Sequence, residues 1–180
     1  MQIKPPPEQI EIEKAIIMAV DCITKKCRNP KPVLLHSLRV GFKLQELNQP
    51  KEVIIARILH DLIEDTDCKI NRIKREFGLK VAKLVSACSQ VKGEDYKVRW
   101  YKLLNNVKKA GKEAMLIKVV DGDDNLPYTP LVKSPKELKK VLWKHQMVIE
   151  KLKCQNIQEL IQVDMLKSIW QLQKSVLVGC

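Results

Sequence analysis

Aromatic residues are only 4% of the chain, with two Phe, three Trp and three Tyr among 180 residues. That scarcity argues against a β-sandwich and against a module that binds nucleic acid by stacking bases. Glycine occurs six times and proline nine, too few for a succession of short strands joined by tight turns. Six cysteines stand at 22, 27, 68, 88, 154 and 180, and none forms a Cys-x-x-Cys pair, so no matching zinc half-sites are present. No stretch is long and apolar enough to span a membrane. The opening Met1-Gln2-Ile3-Lys4-Pro5-Pro6-Pro7 has no apolar centre of the kind a secretory leader needs. The expectation is a helix-rich, reduced, cytoplasmic protein with free thiols.

What the chain does have is the balance of a globular domain, 45% hydrophobic and 30% charged. Its length suffices to bury a real core. Lys and Arg number 33 against 21 Asp and Glu, a net charge of +12. Such a charge attracts polyanions: nucleic acid, an anionic membrane or a phosphorylated small molecule. Charge alone does not choose among them, and solubility is the plainer reading.

Apolar residues recur mostly at helical spacing, and breakers divide them into segments. A first helix follows Pro7, carries Ile10, Ile12, Ile16, Ile17, Val20 and Ile23, and ends before Asn29-Pro30. Further helices are expected over 33–47, 51–64, a short one from Thr66 or Asp67 to Phe77-Gly78, then 80–91, 96–110, 113–125, 136–153 and 157–175. The helix over 51–64 is apolar on most of its surface, as a central buried helix is. The expected architecture is all-α, with a core over residues 8–130 and a C-terminal helical extension over 131–180.

Chemistry concentrates at the end of that central helix, in Ala56-Arg57-Ile58-Leu59-His60-Asp61-Leu62-Ile63-Glu64-Asp65-Thr66-Asp67. His60 and Glu64 are four apart and Asp61 and Glu64 three apart, so all three can share one face. Acidic groups at a helix C-terminus oppose its dipole, which disfavours a purely structural origin. An adjacent imidazole and carboxylate suit a divalent transition metal such as Mn, Fe or Zn. His36 lies on the apolar side of the preceding helix and is a candidate ligand, although a lone His there is more often a hydrogen-bonded core residue. Asp121 ends the apolar run of Leu116-Ile117-Lys118-Val119-Val120, where an unbalanced carboxylate is costly. A distant carboxylate completing a set of two His and two Asp makes physical sense. Asn125, one turn on, could hydrogen-bond a substrate.

The pattern His36, His60-Asp61, Asp121 resembles the signature of the HD phosphohydrolase superfamily. Its wider frame, His60-Asp61-Leu62-Ile63-Glu64-Asp65-Thr66, Phe77-Gly78 with Val81, and Lys118-x-x-Asp121-x-x-x-Asn125, is similar to the hydrolase domain of RelA/SpoT proteins and small alarmone hydrolases. The resemblance covers about residues 28–127. It implies an all-helical fold holding one divalent metal, typically Mn, with His36, His60, Asp61 and Asp121 as ligands. It implies that Glu64 and Asp65 work on the attacking water, and that Arg28 and Lys118 meet phosphates while Asn125 faces the nucleoside. The implied reaction removes pyrophosphate from the 3′ position of guanosine tetra- or pentaphosphate. The implied partner is a phosphorylated nucleotide, with no membrane and with nucleic acid the weaker candidate; oligomeric state is left open.

Some residues depart from that branch. Gly122 follows Asp121 where a basic residue is usual, and Asp123 and Asp124 add negative charge. Another phosphate ester, such as a nucleoside monophosphate, is the alternative substrate. A non-catalytic nucleotide or nucleic-acid binding module is the alternative of a different class, drawn from the basic segment Lys92–Lys112. For that segment a solvated helix face with one packed aromatic edge is the plainer expectation. His145, on a polar helix far from the motifs, is expected at the surface.

Overall fold

Pro7, Pro32 and Pro50 open three successive helices, because a fixed φ and a missing N–H cost nothing at a helix start. The computed structural model describes residues 6–29, 31–90, 93, 95–131 and 134–152. Its elements are α1 (Pro7–Lys25), α2 (Val33–Glu46), α3 (Lys51–Asp65), α4 (Ile70–Cys88), α5 (Tyr96–Ala110), α6 (Lys112–Asn125), a 3-10 helix (Leu126–Leu131) and α7 (Pro135–Lys151). The fold is all-α, with no strand among the described residues. The helix expected over 157–175 lies outside the described residues.

Contacts divide the chain into two compact units, Met1–Glu94 and Asp95–Cys180. The first unit is built on α3, which packs against α1, α2 and α4. Every residue from Val53 to His60 is buried, the all-round burial of a central helix. α1 meets the core with a narrow stripe of Ile12, Ala15, Met18, Ala19 and Cys22. Ile10, Ile17 and Val20, which the sequence periodicity groups with the apolar face, are exposed instead. Ala15 and Ala19 on the buried stripe suit a close helix approach, and Ile12 is the one β-branched residue it buries.

The short helix and its successor, expected to part at Phe77-Gly78, run as α4 with a break at Gly78. Gly78 has φ 86°, a conformation that favours glycine. Neither Thr66 nor Asp67 caps this helix; Lys69 occupies the N-cap position without a side-chain bond. The Thr66 hydroxyl instead donates to Leu62 O at 2.6 Å and accepts from Cys68 N at 3.0 Å, closing the turn after α3.

In the second unit α7 packs against α5, α6 and the 3-10 helix. Asp95 caps α5 by accepting from Lys97 N at 2.8 Å. α5 buries Trp100, Leu103, Leu104 and Val107 while Lys97, Lys102, Lys108 and Lys109 are exposed. That is the solvated basic face with a packed aromatic edge. His145 departs from expectation: it is buried, on the α7 stripe of Leu142, His145 and Val148. No helix among the described residues is long and apolar enough to cross a membrane.

Candidate active site

In the first unit α2 supplies His36 and α3 supplies His60 and Asp61. α3 delivers His60 and Asp61 after seven successive buried positions, Val53 to Leu59, so their backbone is fixed by core packing. His60 is buried, and His36 and Asp61 each keep 16% side-chain exposure. His60 Nε2 lies 3.2 Å from Asp61 Oδ1, and His36 Nε2 lies 4.0 Å from Asp61 Oδ2. Ser37 Oγ donates to Asp61 Oδ2 at 3.2 Å.

Arg57, one turn earlier on α3, enters the same cluster. Its Nη2 reaches His36 Nε2 at 2.6 Å, and its Nη1 reaches His60 Nδ1 at 2.8 Å and Asp61 Oδ2 at 3.2 Å. His60 Nδ1 is also 3.2 Å from the Arg57 carbonyl. A neutral imidazole serves only one of these contacts through Nδ1. With the proton on Nδ1, the ring donates to the Arg57 carbonyl and Nε2 offers a lone pair. With Nδ1 accepting from Arg57, the proton sits on Nε2 and is donated to Asp61 Oδ1.

Glu64 and Asp65 follow on the last turn of α3. Glu64 Oε1 accepts from the backbone N–H of Gln90 at 2.8 Å. Asp65 Oδ2 accepts from Asn29 Nδ2 at 2.8 Å, and its backbone carbonyl accepts from Arg28 N at 2.8 Å. Arg28 Nη1 donates to Thr66 O at 2.6 Å, and its Nη2 pairs with Asp67. Lys26 Nζ sits 2.9 Å from Asp67 Oδ2. Lys26 and Arg28 beside Asp67 hold its carboxyl below the usual carboxylate range. The segment after α1 is thus strapped onto the turn that ends α3.

The second unit holds Lys118, Asp121 and Asn125 on one face of α6. Lys118 Nζ donates to Asp121 Oδ2 at 2.8 Å, with both side chains below a tenth exposed. Asn125 Nδ2 donates to Asp121 O at 2.8 Å and lies 3.4 Å from Asp121 Oδ1. The ammonium balances the buried carboxylate, and the amide orients it. Lys118 Nζ also lies 5.4 Å from the Trp100 ring centroid, and Lys144 Nζ lies 5.0 Å from it.

Two imidazoles and a carboxylate are the donor set of a divalent transition-metal site. The Nδ1 contact of His60 with a backbone carbonyl is the outer bond that frees Nε2 to ligate. A gap of 3.2 Å between His60 Nε2 and Asp61 Oδ1 suits two neighbouring ligands at about 2.0–2.2 Å from one ion. In donor chemistry the residues fit a metal. Among the described residues, however, no three His, Cys, Asp or Glu are drawn together as a cage. The guanidinium of Arg57 is what reaches across the two histidines and Asp61.

An HD domain family profile matches residues 15–116, more than half of the chain. The chain belongs to the HD-domain family. This HD-domain chain is 36% identical over 105 residues to the guanosine-3′,5′-bis(diphosphate) 3′-pyrophosphohydrolase of Aquifex aeolicus, covering 57% of the chain and 15% of the relative. It is 35% identical over 74 residues to the enzyme of the same name from Drosophila melanogaster, covering 41% of each. The chain therefore spans only about a seventh of the length of the Aquifex relative. Its fold is similar to that of a solved metazoan ortholog of SpoT that hydrolyzes ppGpp, with TM-score 0.76 and 21% identity, covering 92% of this chain and 97% of that one. A Listeria monocytogenes protein gives TM-score 0.67 at 24% identity, covering 77% of this chain and 94% of that one.

Sequence reasoning passed over Arg57, Asn29, Ser37 and Gln90. Arg57 left a usable signal: a lone cation in an apolar helical run, three residues before His60 and four before Asp61. Asn29 reads as part of a breaker beside Pro30. Gln90 acts through its backbone, which carries no residue-type signal.

Proposed function

We propose that this HD-domain chain is a metal-dependent phosphohydrolase of nucleotides, and specifically a guanosine-3′,5′-bis(diphosphate) 3′-pyrophosphohydrolase. The observation that carries the reading is the gathering of His36, His60 and Asp61 with Glu64 and Asp65 one turn further along α3. The names of the curated relatives support the substrate. His36, His60 and Asp61 would hold the ion, and the sequence pattern Lys118-x-x-Asp121-x-x-x-Asn125 makes Asp121 the candidate for a fourth ligand. A divalent cation, Mn in this reading, supplies positive charge against the phosphoryl oxygens and acidifies water when bound.

The chain's own residues do the rest. Glu64, anchored by the Gln90 N–H, and Asp65, anchored by Asn29, orient water and take up its proton. A bond forms between the water oxygen and phosphorus as the bond to the 3′ oxygen breaks. Pyrophosphate leaves, and the proton taken from the water passes to the 3′ oxygen, which is left as a hydroxyl. Arg28 and Lys118 meet phosphate oxygens, and Asn125 hydrogen-bonds the nucleoside. A cytoplasmic setting, where such nucleotides are made and consumed, belongs to the same reading.

The half-buried Asp123 and Asp124 beside Gly122 favour a second reading, a less highly charged phosphate ester as substrate. The test is incubation of metal-depleted protein with Mn²⁺ and guanosine tetraphosphate or nucleoside monophosphates, with products resolved by anion exchange. Guanosine diphosphate plus pyrophosphate is the expected result. Free phosphate from a monophosphate would move the substrate to the second reading. Silence across the panel with metal bound would overturn both and leave a binding role.

A further inference from the structure

Arg57 has no exposed side-chain area, and it lies in the most deeply buried stretch of α3. A guanidinium is taken out of water at a high cost unless anionic and acceptor groups receive it. Here Asp61 balances its charge at 3.2 Å, and both histidines receive its N–H groups. We infer that Arg57 is a built-in cation of the His36–His60–Asp61 cluster that competes with the metal ion for it, so that loading the metal requires the guanidinium to withdraw. The inference rests on the metal site proposed above.

The competition follows from lone pairs. Arginine only donates. His36 Nε2 has one lone pair, and at 2.6 Å it is committed to Arg57 Nη2. The same lone pair would ligate an ion, so the two uses exclude each other. At His60 the exclusion runs through the ring. When Nδ1 accepts from Arg57 at 2.8 Å, the proton stands on Nε2, the nitrogen facing Asp61. When Nδ1 donates to the Arg57 carbonyl, Nε2 is open to an ion. Charge acts in the same direction, since a guanidinium within hydrogen-bond reach of all three ligand residues repels a second cation.

Two states of one cluster result. In one, Arg57 closes it and the carboxylate of Asp61 is balanced without metal. In the other, Arg57 has swung away and the ligands are free. Arg57 is thus a positioning residue that sets metal affinity: an ion binds only the fraction of molecules in the second state, which lowers its apparent affinity by that fraction.

The test uses the full chain and Mn²⁺ alone, with free ion measured by electron paramagnetic resonance. Arg57→Met is neutral and similar in reach. It is expected to bind Mn²⁺ about tenfold or more tightly than the unsubstituted chain, since the closed state is removed. Equal or weaker affinity in Arg57→Met, with Mn²⁺ bound by both proteins, would overturn the role of Arg57 and leave the metal site standing. Absence of Mn²⁺ binding in both would overturn the metal site and this inference with it. A second measurement needs no substitution. With arginine-labelled, otherwise unaltered chain and diamagnetic Zn²⁺, one guanidinium resonance is expected to leave its metal-free position as the ion binds. Zn²⁺ binding with every arginine resonance unmoved would overturn the inference.

Discussion

The backbone N–H of Gln90, just past the end of α4, donates to Glu64 Oε1 on the last turn of α3 at 2.8 Å. A main-chain donor cannot swing away as a side chain can, so this carboxylate is held in place by the fold. Glu64→Gln keeps an oxygen that can accept the same bond and removes only the capacity to take a proton. The variant is expected to retain its melting temperature and its metal while single-turnover hydrolysis falls by about 10²–10⁴. An unchanged rate would remove Glu64 from the chemistry.

His60 and Asp61 are adjacent but differ in what their loss costs. Both His60→Ala and Asp61→Ala are expected to lose metal binding. Asp61→Ala also removes the carboxylate that balances the buried Arg57 guanidinium. Breaking a buried pair in this way costs about 3–5 kcal/mol. Denaturant unfolding of the metal-free proteins is therefore expected to place Asp61→Ala well below His60→Ala. Combining Asp61→Ala with Arg57→Met should recover part of the difference, because the charge and its counter-charge leave together. Equal stability of the two single variants would contradict the balancing role of Asp61.

Cys68 follows the turn after α3, and burial, together with the neighbouring Cys22, pushes its thiol up to about 12. The thiolate is the reactive form, so iodoacetamide at pH 8 is expected to modify Cys68 in the folded chain far more slowly than in denaturant. The same shift links to stability. An unfolded thiol ionises near 9.0 while the folded one stays protonated. Stability from this group is whole below pH 9 and declines as pH rises from there toward 12. Cys68→Ala should flatten that alkaline decline in a pH series of unfolding curves.

At the other end of the pH scale, Asp67 is held below its ordinary value of 3.8 by Lys26 and Arg28. A depressed carboxyl contributes stability above its unfolded pKa and loses it as pH falls through the folded one. The strap from Lys26 to Asn29 should therefore loosen below pH 3.8. The Arg28 amide, bonded to Asp65 O at 2.8 Å, is the reporter. In Asp67→Asn its hydrogen exchange should already be fast at neutral pH, when corrected for intrinsic rates.

Much of this arrangement is legible in the sequence where one physical signal dominates. The proline-delimited helices and the break at Gly78 follow from fixed φ at Pro7, Pro32 and Pro50 and positive φ at Gly78. The central place of α3 follows from its unbroken apolar run. Buried residues with mixed neighbours were harder to read. His145 stands between Lys144 and Gln146, yet Leu142 and Val148, three residues to either side, carry it into the interior. Arg57 was hidden for the opposite reason: its neighbours Ala56 and Ile58 are apolar, and a charge among them reads as incidental until its reach to His36 is known. Periodicity on α1 predicts the helix, but Ile10, Ile17 and Val20 fall outside its buried stripe, which relies on Ala15 and Ala19, residues of little hydropathic weight. Long-range partners such as Asn29 for Asp65 depend on chain return, which no local pattern encodes.

The distance between His36 and His60 depends on how closely α2 lies on α3, and Gly41 sets that approach. A Cβ at Gly41 would stand 3.0 Å from Ile58 Cγ1 and 3.4 Å from Ile58 Cδ1. Such a contact forces Ile58 or the helix pair to give. Ile58 is fully buried, so its room to rotate is small. Gly41→Ala is expected to cost about 1–3 kcal/mol by overpacking. Because His36 lies on the same helix, one turn and a half before Gly41, the strain should also register in the cluster as weaker Mn²⁺ binding. Ile58→Ala alone should cost about 2–5 kcal/mol through the cavity it leaves. In the double variant the new methyl group enters that cavity, so the combined cost should fall short of the sum of the two. Strict additivity in unfolding free energies would show that the α2–α3 contact at Gly41 does not govern the spacing of the two histidines.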